Sequence, residues 1–164
     1  MSDPDDRTAR CALSIAAALA AAGPGEKAEA RRMDERGAPV FWRHAARLGI
    51  SPSQEASWLQ FTRMVALMTP ATVTTSIHSS ADRVGAVLAT AGLSEQRLAR
   101  LLAARGEARL EALERAIRMV SRKHHKIDVV GLARAVLGQG GNALARDYYR
   151  DHAQNEPEED AQNG

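Results

Sequence analysis

Two adjacent histidines, His124 and His125, stand among three cations in the run SRKHHKID at 121–128. Residues of these types could ligate a metal or grip a phosphate. On a helix, neighbouring side chains diverge by about 100°, whereas a two-histidine helical site needs i, i+3 or i, i+4 spacing to aim both rings at one ion. No cysteine or paired carboxylate adjoins them, and Arg122, Lys123 and Lys126 would repel a divalent cation. The run is expected to hold no metal and to form the basic rim of an inter-helix loop. Nothing else in the chain arranges catalysis. There is no serine–histidine or cysteine–histidine constellation, and no glycine-rich phosphate loop follows a strand. A non-enzymatic protein without a cofactor is expected. His44 falls on an apolar helix face as a core histidine, and His78 reads as an exposed loop residue. Cys11, the single cysteine, excludes an internal disulfide and reads as a buried, inert thiol.

Cationic side chains are the more informative group. The chain carries a formal net charge of +2, but the acids crowd at its ends. Between residues 7 and 151 there are 22 basic against 13 acidic residues, an excess of nine, and 19 of the 22 are arginine. Arginine presents a planar fork of donors suited to phosphate oxygens. A basic body with acidic ends points to a polyanion partner. On the 107–122 helix, Leu110, Leu113, Ile117 and Val120 form the inward stripe, with Arg115, Arg118 and Arg122 opposite. Glu111–Arg115 and Glu114–Arg118 are i, i+4 pairs, worth only ~0.3–0.5 kcal/mol each, so they do not bar phosphate binding. Lys123 and Lys126 extend this charge, Arg97 and Arg100 flank the preceding helix's leucines, and Arg31 and Arg32 make a further pair. With aromatics at 4%, charge is expected to dominate over base stacking.

The elements that must position these residues are helical. Hydrophobic content is 45%, dominated by alanine and leucine, which favours close helix packing over a sheet. Periodicity gives an all-α fold of eight or nine helices in two small packed lobes. The expected first helix is 8–22, a soluble helix despite its alanine run, closed by Gly-Pro-Gly at 23–25. A short basic helix ends at Gly37, and Pro39 opens the next. Ser51 with Pro52 is expected to start a long helix to Thr69, carrying Trp58, Phe61, Val65 and Met68 inward and Arg63 outward. Residues 69–80 read as an exposed loop, Ser80 as the cap of the next helix, and Ser94, Asp128 and Asn142 as later caps. The expected organisation is an N-terminal helical lobe at 1–92 with 1–7 disordered, a C-terminal helical bundle at 93–152, and a disordered acidic tail at 153–164. No run approaches the ~20 apolar residues of a membrane span, and a cytoplasmic location is expected.

Two readings follow. LSEQRLARLLAARGEARLEALERA has the rhythm of a helix-turn-helix, with Ala99 and Gly106 where small residues are wanted. Its second helix, however, would present Glu111 and Glu114 to phosphates. The other reading rests on segment order. RRMDERGAPVFWRHAARLG, LQFTRMVALMT, LATAGLSEQRLARLLAARG, LERAIRMVSRKHHKIDVVGLARAVL and ALARDYYRDH together resemble the CasB family, the small subunit of the type I-E CRISPR Cascade complex, over about residues 28–152. The chain departs from that pattern at Val129, where the family has tryptophan, and at GQGGN.

The resemblance implies an all-helical, non-catalytic subunit of a crRNA-guided surveillance complex acting in antiviral defence. Its partners would be crRNA, target and non-target DNA, the large and backbone subunits, and a second copy of itself. Its task would be to hold nucleic-acid backbone in the R-loop, with specificity left to base pairing. Arg31, Arg32, Arg63, Arg97 and Arg118 match basic positions of the family. Arg100, Arg105, Arg122, Lys123 and Lys126 join the candidate set on local charge.

Overall fold

The computed structural model describes residues 3–155. Among these, nine α-helices occur: α1 (Pro4–Ala21), α2 (Pro24–Arg32), α3 (Pro39–Leu48), α4 (Glu55–Met68), α5 (Val84–Thr90), α6 (Glu95–Ala103), α7 (Gly106–Val120), α8 (Val129–Leu137) and α9 (Ala143–Asn155). No strand is present among the described residues. His78 and Ile127 form an isolated parallel bridge. The all-α expectation holds. No helix is long and apolar enough to cross a membrane.

The local chemistry explains most of the boundaries. Prolines stand at the first positions of α1, α2 and α3, where the missing N–H is not needed. Gly49 and Gly138 close α3 and α8 in the left-handed conformation, as a helix end favours. Ser94 caps α6 through the Arg97 amide at 3.2 Å. Asp128 caps α8 by accepting from Val130 and Gly131, both at 3.1 Å.

Several expectations need correction. Residues 4–7, expected to be disordered, form the first turn of α1. The Asp3 side chain accepts from the Asp5 amide, and the Asp5 carboxylate takes both Arg134 donors at 2.7 and 2.9 Å. Residues 153–155 belong to α9, and the rest of the acidic tail lies outside the described residues. Ser51 bonds Ser53 and makes no side-chain cap. Pro52–Gln54 is a 3₁₀ turn, so the long helix starts at Glu55. Ser80 caps nothing, because α5 begins only at Val84 with Arg83 at its N-cap. The 69–80 loop is not uniformly exposed, since Thr69 and Ile77 are buried. Ile77 and Ser79 exchange backbone bonds of 3.0 Å with Ile127. His78 is drawn in as well, its Nδ1 accepting from the Val129 amide at 3.2 Å.

The buried side chains form one contiguous cluster that crosses Gly92. Its aromatic part includes Phe41 and an edge-on Trp58–Phe61 pair with ring centres 5.2 Å apart. α4 runs through the middle and touches α1, α2, α7 and α8, while α1 lies on α8. The most extensive helix–helix packing is that of α5 against α9. It depends on Gly85, where an added Cβ would sit 2.2 Å from the Leu144 carbonyl oxygen and 2.6 Å from the Tyr148 nitrogen. Tyr148 is buried below this crossing and donates its hydroxyl to the Leu93 carbonyl at 2.5 Å. That bond ties the end of the molecule holding α9 to the start of α6.

Candidate nucleic-acid interface

α6 has the period of a surface helix. Leu98 and Leu101 are buried, which leaves Arg97 and Arg100, one turn apart, on the solvent side. α7 packs beside α6 and against α4 through buried Leu113, Ala116, Ile117 and Val120. Between α6 and α7 lies a cleft of about 330 Å³. Leu93, Leu101, Ala112, Ala116 and Met119 make its apolar floor, and Arg97, Arg100 and Arg115 make its rim. Arg97 and Arg100 are exposed, and their guanidinium groups make no hydrogen bond or ion pair with any described residue. Arg115 meets Glu111 at 3.5 Å with both side chains largely exposed, a pair that solvent and salt weaken.

Four of the ten candidate cations are committed to the protein's own backbone. Arg31 donates from Nε to the Ala66 carbonyl at 3.0 Å and from Nη2 to the Thr69 carbonyl at 2.7 Å. It thus satisfies the Thr69 carbonyl and adds a second donor to the Ala66 carbonyl, which also accepts from the Thr69 amide at 3.2 Å, at the end of α4 where a cation suits the helix dipole. Lys27, one turn earlier and buried, continues this clasp to the Ala71 and Val73 carbonyls at 3.3 and 2.6 Å. Arg105 folds back on the Leu102 and Ala104 carbonyls at the end of α6. Lys126 holds the Ser76 carbonyl at 2.9 Å across the loop.

Arg63, expected to point outward, is instead half-buried. It donates to the Met33 carbonyl at 3.1 Å and pairs with Glu114 at 3.1 Å. Glu114 is itself largely buried and also receives Arg118 at 2.8 Å, so one carboxylate serves two arginines. Arg32, Arg122 and Lys123 are exposed, and their side chains have no partner among the described residues. The structure therefore brings Arg97 and Arg100 into one cleft and joins Arg63 to Arg118 through Glu114. Arg31, Arg105 and Lys126 are held elsewhere as clamps. Sequence reasoning left Arg115 off the candidate set. Its i+3 and i+4 relation to the floor residues Ala112 and Met119 was the available signal.

The histidines also separate by environment. His44 is buried on α3 and its Nδ1 accepts from Arg47 Nη2 at 3.2 Å. Burial, followed by the nearby Arg47 and Arg43 charges, lowers its pKa below the ordinary histidine value. Burial likewise raises the Cys11 thiol above its usual value, so the thiolate is disfavoured. Among the described residues, no three His, Cys, Asp or Glu side chains gather as a metal site would require. Trp42 and Tyr149 are exposed aromatics, which the low aromatic content did not anticipate.

The family model for the CRISPR-associated protein Cse2 matches residues 17–152 of the chain. No curated protein and no solved structure matches it.

Proposed function

The chain belongs to the CRISPR-associated Cse2 family, and from that premise we propose that it works as a non-catalytic, cytoplasmic small subunit that stabilises the R-loop of a crRNA-guided Cascade complex. Membership makes it a CRISPR Cascade subunit. The finer reading is that its cations hold the backbone of the guide–target heteroduplex and of the displaced strand without reading sequence. The observation that carries this reading is the α6–α7 cleft. Arg97 and Arg100 face solvent there with no intramolecular acceptor, so a phosphate can engage them without breaking an existing bond. Arg32, Arg122 and Lys123 are available on the same grounds. The lobes at 1–92 and 93–152 are proposed to act as halves of one body that share a core. The complex's large and backbone subunits and a second copy of the chain are proposed as its protein partners.

Replacing Arg97 and Arg100 with alanine in the assembled complex is expected to shorten R-loop lifetime. It should also reduce the slope of log K against log salt for DNA binding by about 0.7–0.9 per lost phosphate contact. An unchanged lifetime would remove both residues from the interface. A helix-turn-helix regulator would instead bind one duplex far more tightly than random DNA. The disposition of α7 does not favour it, since Glu111 remains on the outward face beside Arg115.

A further inference from the structure

We propose that the α6–α7 cleft is a pocket for one unpaired nucleobase, with Arg97 and Arg100 holding the phosphates that flank it. This rests on the reading of the chain as a nucleic-acid-binding subunit and names which form of nucleic acid this site takes. A phosphate alone is satisfied by cations and water and gains nothing from an apolar floor. This cleft has both parts: a floor of Leu101, Ala112 and Met119 and a rim of guanidinium groups. A nucleobase has the matching division, an apolar π-face with a polar edge and a charged backbone beside it. Single-strand sites combine a cationic groove with surfaces on which base faces rest, and arginine planes can supply part of that surface.

Size narrows the occupant further. At about 330 Å³ the cleft stands near the lower end of the ~300–1,000 Å³ range of small-ligand pockets. A peptide helix, ~10–12 Å across with its side chains, would overhang it. Bases inside a duplex cannot reach the floor, because their faces are covered by stacking. The site therefore selects a displaced or gapped strand over paired nucleic acid. A second cleft of about 300 Å³ gives a useful contrast. Its Arg83, Arg109 and Arg134 are accompanied by Asp5, Asp128 and Asp147, so its charges cancel and it offers no comparable attraction for an anion.

The test compares oligo-dT with the same backbone carrying abasic sites, each titrated against the full chain at low salt by fluorescence anisotropy. The wild-type protein is expected to bind oligo-dT about tenfold more tightly than the abasic strand. Ala112→Leu fills the floor without changing charge. It is expected to reduce that ratio towards one while leaving the salt slope intact, with a circular dichroism melt confirming that the variant is folded. Equal affinity of the wild-type protein for the two strands would overturn the base pocket and leave the phosphate contacts standing. A pocket filled instead by an acidic peptide of a neighbouring subunit would give that same equality. Absence of binding to either strand would overturn the nucleic-acid reading itself.

Discussion

Replacing Gly85 with alanine places a methyl carbon where α9 already runs. The new Cβ would lie 2.2 Å from the Leu144 carbonyl oxygen, 2.6 Å from the Tyr148 nitrogen and 3.0 Å from the Asp147 Cβ. Close carbon–oxygen contacts settle near 3.3–3.6 Å, so α9 must retreat by about 1 Å. Two of the three obstacles are backbone atoms, which cannot rotate aside as a side-chain tip can. A gap of 0.5–1 Å forfeits roughly a quarter to a half of each van der Waals well along the interface. Overpacking of this kind costs ~1–3 kcal/mol, and contact with backbone puts this case near the upper figure. The better helix propensity of alanine returns ~0.5–1 kcal/mol.

A net loss of ~2 kcal/mol remains, which for a chain of this size lowers Tm by roughly 4–8 °C. The assay is a thermal melt followed by far-UV circular dichroism. Gly25→Ala serves as the control of opposite sign. Gly25 lies in α2 with nothing within 4 Å of its added Cβ, so it should gain ~0.4–1 kcal/mol. A Gly85→Ala protein melting at or above the wild-type temperature would refute the close-approach reasoning.

Arg31→Ala should cost about 1.5–3 kcal/mol, the scale of a charged hydrogen bond, because it leaves the Thr69 carbonyl without its donor and the Ala66 carbonyl with the Thr69 amide alone. Chemical denaturation would measure the loss, and oligonucleotide affinity per folded molecule should not change. Glu114→Gln should destabilise by ~1–2 kcal/mol, since half-buried Arg63 loses its charge partner. The same variant should bind polyanions more tightly as Arg118 is released, and a salt titration would report both the gain and its charge origin. For His44, the folded-state pKa lies below the unfolded value of 6.5, so the fold favours the neutral ring. Its contribution is therefore present above about pH 6.5 and is lost as pH falls through the folded value. His44→Leu should flatten that acid-side slope in denaturation midpoints measured between pH 7 and 5.

The backbone's punctuation was legible because it is local. Pro39 with Gly49, Ser94 with the Arg97 amide, and Asp128 with the Val130 and Gly131 amides each act within a few residues. Their residue types therefore disclose them. The inward stripes of α4 and α7 were legible for a similar reason, since helical periodicity forces Trp58 and Phe61, or Leu113 and Ile117, onto one face. Ser51 and Ser80 show the limit of that logic. Each has the right type for a cap, but the Ser51 hydroxyl meets Ser53 beside a 3₁₀ turn, and the chain on either side of Ser80 is bonded to Ile127 and Asp128.

The candidate interface divides along the same line. Composition and spacing alone established an all-helical chain with an arginine-rich body, and segment order placed it in its family. They could not decide which arginines were available. Arg31 meets Ala66, Arg63 meets Glu114, and Lys126 meets Ser76, in each case across 35 to 51 residues of chain. A guanidinium's accessibility is a property of what the fold brings within about 3 Å of it, and no local pattern encodes that. Packing α6 on α7 left Arg97 and Arg100 unpartnered above an apolar floor. Identical side chains elsewhere were spent on the carbonyls and carboxylate that hold the body together.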